Sequence, residues 1–209
     1  MKKLIMICTA VALVFVLTPL ATAVVTVDPD AFPVGTNISN AFPGVTLSSV
    51  GPGFDGDNDP SIFSIDPTLS SIPFNASTGS LVFGTNDNTW PDVFGGLGNA
   101  QLRIDFSQGS TLVYLDAIGN NGSDYAKLEA FDSSNNLIDS YFTAQMTVSS
   151  FETMMVSGSN ISYVVAGGVS GDSVGFDSMK FQPIPAPGAI LLGSIGLGVV
   201  SWLRRRRTL

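Results

Sequence analysis

The stretch TLVYLDAIGNNGSDYAKLEAF, residues 111–131, contains two β-strand patterns separated by a polar turn. In its second part apolar and charged residues alternate, which is the two-residue period of a strand with one buried and one solvated face. The alternating positions are Ala126, Leu128 and Ala130 against Lys127 and Glu129. Its first part, residues 111–118, is apolar on both faces, as expected for a covered central strand. The stretch therefore predicts a β-sheet with a packed interior.

Similar segments continue on both sides, separated by glycine, asparagine, serine, aspartate and proline, and no window shows a sustained helical period. The predicted strands are residues 101–106, 111–118, 124–131, 137–143, 152–157, 161–166 and 173–181. Residues 119–122 and 133–136 have the glycines and asparagines that tight hairpins require, because these residues tolerate positive φ. The first half is more irregular, and only residues 45–47 are expected to enter the sheet. Residues 24–182 are therefore predicted to form one all-β domain.

The patterning of residues 101–181, which ends in the strand VGFDSMKF, resembles the jelly-roll sandwiches of carbohydrate-binding modules and discoidin-like domains. The resemblance implies a single jelly-roll-like β-sandwich of two packed sheets. It also implies a carbohydrate as one class of ligand for this domain.

The domain is strongly acidic. All 17 acidic residues of the chain lie between Asp28 and Asp177, whereas the domain of residues 24–182 has only three basic residues, Arg103, Lys127 and Lys180, so its net charge is −14. Such a domain repels phosphate backbones, so nucleic-acid binding is excluded, and divalent cations are its natural counter-ions. The chain has no histidine and one cysteine, Cys8, which falls in a predicted leader. A disulfide, a thiolate zinc site and a Ser/His/Asp triad are therefore excluded from the mature domain.

Residues 1–23 have the three parts of a secretory signal peptide. Lys2 and Lys3 precede an apolar run over residues 4–17, and Ala21 and Ala23 form an Ala-x-Ala site for signal peptidase. We expect cleavage after Ala23. The alternative is an uncleaved N-terminal anchor, which the Thr18-Pro19 break disfavours.

The C-terminal segment, residues 183–209, contains a proline-rich neck, an apolar run and a basic cluster. Residues 183–187, PIPAP, form an extended neck, because proline fixes its own φ and discourages helix in the preceding residue. Residues 188–203 are uncharged, and as a transmembrane helix they would reach about 24 Å, short of the roughly 30 Å hydrocarbon layer. Trp202 suits the membrane interface, and the cluster Arg204, Arg205, Arg206 and Arg207 keeps this end in the cytoplasm. The domain is therefore expected to face outward.

This order of Pro185-Ala186-Pro187, a glycine-rich apolar helix and terminal arginines resembles the PEP-CTERM sorting domain, whose proteins are exosortase substrates. The departure is Ala186, where the commoner pattern has glutamate. The resemblance implies that the tail holds the protein in the membrane for processing near the Pro-Ala-Pro sorting motif. It also implies a destination at the cell surface or in the extracellular matrix, with exopolysaccharide and biofilm. A plain membrane anchor is the alternative.

Residues 53–60, GFDGDNDP, place Asp55, Asp57 and Asp59 at alternate positions of one loop. Carboxylates in this arrangement can converge on a hard cation, so the loop is a candidate structural Ca²⁺ site. It is not an EF-hand, because Pro60 replaces the turn glycine and no glutamate occupies the bidentate position. A solvated acidic turn is the alternative.

Trp90 lies in a polar loop with Asp87 and Asp92. An exposed tryptophan beside carboxylates and amides is typical of sites that stack a sugar ring, although packing in the core is the commoner fate of tryptophan. A glycosidase needs a pair of carboxylates with one raised pKa, which this sequence does not suggest, so a catalytic role is not expected. Two functions follow: a structural or adhesive matrix protein, and a carbohydrate-binding surface module.

Overall fold

The computed structural model describes residues 23–51, 60–69, 73–85, 94–95 and 100–185, together with Gly196 and Gly198. Ten strands form one sheet with antiparallel ladders, and two single 3-10 turns, Pro29–Ala31 and Pro67–Leu69, lie between them. The strands are β1 (Val25–Val27), β2 (Val45–Val50), β3 (Phe63–Ile65), β4 (Val82–Gly84), β5 (Phe94–Gly95), β6 (Gln101–Gly119), β7 (Ala126–Phe131), β8 (Leu137–Phe142), β9 (Phe151–Gly168) and β10 (Ser173–Pro183). The all-β prediction is confirmed for the described residues of the domain, 24–182.

Two long strands, β6 and β9, organise the sheet. The first part of β6 pairs with β2 and with the end of β9, whereas its second part pairs with β10 and with the start of β9. β7 pairs with the end of β9 on the other side, and β8 pairs with β7. β10 also carries β1, β4 and β5 along its length. β10, the last strand in the sequence, therefore pairs with β1, the first strand, and also with β4, β5 and β6 from the middle of the chain.

One core receives side chains from both parts of the long strands. Its fully buried members alternate along the strands, as the period of a pleated strand requires. They include Leu102, Ile104, Leu115 and Ala117 from β6, Leu128 from β7, Met154 and Val164 from β9, and Phe176 and Met179 from β10. Burial of this apolar surface is the main favourable contribution to folding.

The outer side of β10 is covered by a second, smaller cluster of Ile65, Phe74, Val82 and Ile118. Phe74 lies against Gly175, where a Cβ atom would meet the ring at 2.4 Å. This position therefore requires glycine, because a side chain would displace the aromatic ring. Residues 73–81 form a lid over the outer face of β10 in this way.

Three predictions about individual elements need correction. Residues 107–110 do not separate two strands, because β6 continues through them with register shifts next to Ser110 and a positive φ of 72° at Gly109. In the same way β9 continues through residues 158–160. The turn at residues 133–136 does join a hairpin, β7 to β8, but the turn at 119–122 does not, since β7 pairs with β8 and β9 and not with β6.

The predicted leader and the predicted transmembrane helix lie almost wholly outside the described residues. Gly196 and Gly198 are described, and both are helical and exposed. Within the described ranges, no helix is both long and apolar enough to cross a membrane.

Candidate metal centre

Most of the site residues predicted from the sequence lie outside the described residues. This holds for Asp55, Asp57, Asp59, Asp87, Trp90 and Asp92, and also for Ala21, Ala186, Pro187, Trp202, Arg204, Arg205, Arg206 and Arg207. Two predicted processing residues are described: Ala23 is exposed ahead of β1, and Pro185 is half-buried after β10.

The structure instead brings three other carboxylates together. Asp28, Asp30 and Asp177 each place one oxygen within 4.8 Å of the others. The register of β1 on β10 pairs Val27 with Met179, so the residues after β1 come close to the middle of β10. We refer to Asp28, Asp30 and Asp177 as the carboxylate cluster.

The sequence Asp28-Pro29-Asp30 folds locally into a capped 3-10 turn. Asp28 is extended, with φ −133° and ψ 119°, and its Oδ1 accepts the backbone N–H of Asp30 at 2.9 Å. Pro29 suits the first position of the turn because it has no N–H to leave unbonded. The cap is a local interaction that holds Asp28 and Asp30 in one turn.

Asp30 also holds the lid. Its Oδ1 accepts the backbone N–H groups of Ser80 at 2.9 Å and Leu81 at 3.1 Å. Gly79, with φ 51°, leaves no room for a side chain, because a Cβ atom there would lie 2.0 Å from Asp30 Oδ2. This second oxygen of Asp30, Oδ2, is buried, yet it accepts no hydrogen bond. One oxygen of the cluster is thus without a partner.

Asp177 is fully buried beneath the lid. Its Oδ2 accepts the backbone N–H of Thr78 at 2.8 Å, and its Oδ1 accepts the N–H of Ser178 at 2.6 Å. Burial raises the pKa of the Asp177 carboxyl above its ordinary value, while the hydrogen bonds from Thr78, Ser77 and Ser178 oppose that rise. The site therefore favours either a proton on this group or a cation beside it.

A fourth carboxylate adjoins the cluster. Asp116 lies opposite Asp177 in the β6–β10 register, and Thr153 donates its hydroxyl to Asp116 Oδ1 at 2.6 Å. Ser77 Oγ is 2.8 Å from Asp116 Oδ2 and 2.9 Å from Asp177 Oδ2. A serine hydroxyl has one hydrogen and cannot donate fully to both oxygens. A proton on the Asp177 carboxyl group, whose pKa is raised by burial, would supply the missing donor.

No basic side chain of the described part of the domain forms an ion pair with these four carboxylates. Arg103 pairs with Asp105 at 2.7 Å and covers the Tyr163 ring, and Lys127 pairs with Glu129 at 2.7 Å. Carboxylate oxygens held at this spacing, with one buried oxygen unpartnered, are the donor set that Ca²⁺ prefers. The cluster fits a structural calcium ion better than a catalytic group.

Two features of the sequence point to this cluster, although neither predicts it alone. Asp28-Pro29-Asp30 has the same alternate-carboxylate spacing as residues 55–59. Asp177 is a single acidic residue within the predicted strand 173–181, and a carboxylate in a covered strand requires compensation.

No family model matches this chain, and no curated protein matches it. Among solved structures, the K2 cleaved adhesin domain of Lys-gingipain is 15% identical, with a TM-score of 0.47, covering 77% of this chain and 99% of that one. The family 32 carbohydrate-binding module of C. perfringens NanJ, in complex with galactose, is 11% identical, with a TM-score of 0.33, covering 70% and 97%. A Streptococcus pneumoniae fucose binding module is 10% identical, with a TM-score of 0.35, covering 72% and 96%. At these identities the function of this chain has to be inferred from its own residues.

Proposed function

We propose that this chain is an exported surface or matrix protein, sorted by an exosortase through its C-terminal tail, with a non-catalytic structural or adhesive role. The supporting observation is that both ends of the domain lie together. Val25 pairs with Phe181, and β10 runs directly into the neck at Pro183. The predicted signal-peptidase site and the predicted sorting motif therefore flank the same end of the domain.

This arrangement would present the opposite end of the domain to the surroundings. β10 begins at Ser173 and runs for 11 residues to Pro183. At about 3.3 Å per residue, its start is about 33 Å from the neck. The connections at residues 120–125, 143–150 and 169–172 lie at that far end, because the end of β6 pairs there with the start of β9 and the start of β10. A tethered protein would use this end, or its exposed sheet face, for contact.

We propose further that the sheet closes into a jelly-roll-like β-sandwich. The support is the single core that both parts of β6 and β9 share. Bends at the register shifts would let one continuous sheet cover both sides of that core.

Replacing Arg204, Arg205, Arg206 and Arg207 by alanine is expected to abolish correct sorting in the producing bacterium. Four cations hold the C-terminal end in the cytoplasm, and without them the apolar run is free to pass through with the domain. Fractionation and immunoblotting would then show unprocessed protein away from its normal envelope fraction.

The matched control for that experiment replaces the same four arginines by lysine. It keeps the charge, so retention in the membrane is expected to persist. An alanine variant that is retained and processed like the wild type would contradict the proposal.

The second candidate function is carbohydrate binding through Trp90, Asp87 and Asp92. It is favoured by the position of the segments that bound this loop. β4 ends at Gly84 and β5 begins at Phe94, and β5 pairs with Ser173 and Val174 at the start of β10. The described residues on either side of this loop, Gly84 and Phe94, thus lie near the start of β10, at the end opposite the neck.

A glycan array probed with the full-length protein in mild detergent tests this second function. Binding that is lost in Trp90→Ala, but kept in Phe142→Ala, would support it. Phe142 is the matched control because it is an aromatic residue, 58% exposed, on the edge strand β8. If no sugar on the array gives a response, carbohydrate binding is rejected and the structural or adhesive role remains as the proposed function.

We also propose that the domain binds one structural calcium ion at the carboxylate cluster. In this role Asp28, Asp30 and Asp177 supply oxygen ligands, and the ion ties β1 and the lid to β10. Bound calcium would remove the repulsion among the carboxylates and occupy the unpartnered oxygen of Asp30.

A further inference from the structure

The connection from β6 to β7 contains two buried oxygen atoms that accept no hydrogen bond. Asp124 is 1% exposed and Asn120 is 3% exposed. Oδ1 of each residue is buried and lacks a donor. A buried, unpartnered acceptor is costly, and more so when it belongs to a carboxylate. Two such acceptors in one short turn favour an electropositive partner at this position.

The Asp124 carboxylate is held firmly by its other oxygen. Oδ2 accepts the backbone N–H groups of Asn120 and Asn121, each at 2.7 Å. The backbone of Asp124 exchanges hydrogen bonds with Met146, at 3.2 Å and 2.8 Å. These hydrogen bonds hold both the backbone and the carboxylate of Asp124 in place. The Asp124 side chain therefore cannot rotate to bring Oδ1 into solvent without breaking them.

Backbone carbonyl groups surround this turn. Gly119 donates to Ser150 O at 2.9 Å and accepts from Ser149 at 2.9 Å, so the 146–150 connection packs directly on the turn. A Cβ atom at Gly119 would lie 2.4 Å from Thr147 O, so glycine permits the close approach of that carbonyl. Lys127, three residues after Asp124 in the chain, is paired with Glu129 at 2.7 Å. Among the described residues, the turn is therefore bordered by oxygen ligands, and neither ion pair involves Asp124.

We propose that this turn binds a calcium ion through Asp124 Oδ1 and Asn120 Oδ1. The carbonyl groups of residues 146–150 are the available further ligands, and a carboxylate with neutral oxygens is the donor set of a hard cation. The site is distinct from the carboxylate cluster, because Gly119 is three residues along β6 from Asp116, about 10 Å away. It would fasten the far end of the domain, opposite the neck.

Isothermal titration of the full-length protein in detergent with CaCl₂ tests the site. We expect Asp124→Asn to bind one calcium ion fewer than the wild type. Asn121→Ala is the matched control, since the Asn121 side chain is exposed and its N–H is retained, and it is expected to bind as the wild type does. Asn120→Asp adds a ligand charge and is expected to lower the dissociation constant several-fold.

Thermal melts with and without calcium test the same site independently of the titration. In EDTA, Asp124→Asn is expected to melt above the wild type, because it removes a buried charge and adds a donor beside the unpartnered oxygens. In calcium excess, it is expected to melt below the wild type. A structural aspartate or a site that holds only water gives no such crossing, and an unchanged calcium stoichiometry in Asp124→Asn would overturn the proposal.

The same titrations separate this site from the carboxylate cluster. Loss of one ion in Asp124→Asn but none in Asp177→Asn would support the turn and reject the cluster. The reverse result would reject the turn and keep the cluster.

Discussion

Calcium at one hundred times its dissociation constant is expected to stabilise the folded protein by about 2.7 kcal/mol through the carboxylate cluster. For a domain of this size that corresponds to a rise in melting temperature of about 5–10 °C. The physical reason is that the ion binds oxygens of Asp28, Asp30 and Asp177 only when β1, the lid and β10 are assembled. Melts of the full-length protein in detergent, in EDTA and in CaCl₂, measure the difference.

Asp177→Asn is expected to remove this part of the calcium response, and Asp30→Asn is a second variant at the same cluster. Asp105→Asn is the matched control, since it also removes one negative charge but breaks the pair with Arg103 on another part of the sheet. If Asp177→Asn responds to calcium as strongly as the wild type, the cluster is not a calcium site.

The pH dependence without calcium gives a second check on Asp177. Its raised pKa means that the folded protein binds this proton more tightly than the unfolded chain. The stabilisation from this group is therefore fully present below the ordinary carboxyl pKa of about 3.9 and is lost as the pH rises through the raised pKa. In EDTA, the stability of Asp177→Asn relative to the wild type is expected to increase over that range. A constant difference would contradict the role assigned to Asp177.

Phe176→Ala is expected to lower the free energy of unfolding by about 3–5 kcal/mol, because it leaves a cavity in the core. Phe176 is fully buried, lies opposite Phe83 in β4 and Ala117 in β6, and its ring centroid is 5.4 Å from that of Phe94. The substitution removes contacts with three strands at once. The midpoint of urea unfolding followed by circular dichroism measures the loss.

Phe142→Ala serves as the control for that measurement, because the same side chain is removed from an exposed position. We expect a change within about 0.5 kcal/mol. Equal destabilisation by the two substitutions would mean that the core does not lie where the structure places it.

The turns at residues 119–122 and 133–136 have similar sequences but connect different strand pairings. Residues 133–136 form the expected hairpin, with Asn135 at a φ of 63°. The turn at 119–122 has the same kind of residues, yet it leads to a strand that pairs elsewhere. Turn residues permit a change of direction, but the partner of a strand is chosen by which faces can be buried together. That choice depends on residues far away in the chain.

The same limit applies to the carboxylate cluster. The sequence pointed to alternate aspartates at 55–59 because their proximity is visible in a single loop, and that site remains a prediction. Asp177 is far from Asp28 along the chain, and only the pairing of β1 with β10 brings them together. Likewise, the pKa of Asp177 is raised by burial beneath the lid, residues 73–81, and no local sequence pattern predicted that these residues cover β10.

The amino-acid sequence by itself determined the strand-forming segments and the concentration of negative charge in the domain, because periodicity, turn residues and charge are local properties. It also predicted the targeting segments at both ends. Only the tertiary structure decided that β6 and β9 are continuous, that both ends of the domain meet, and that isolated aspartates form a cluster. These features depend on register between distant strands, and register is selected by burial of a common core.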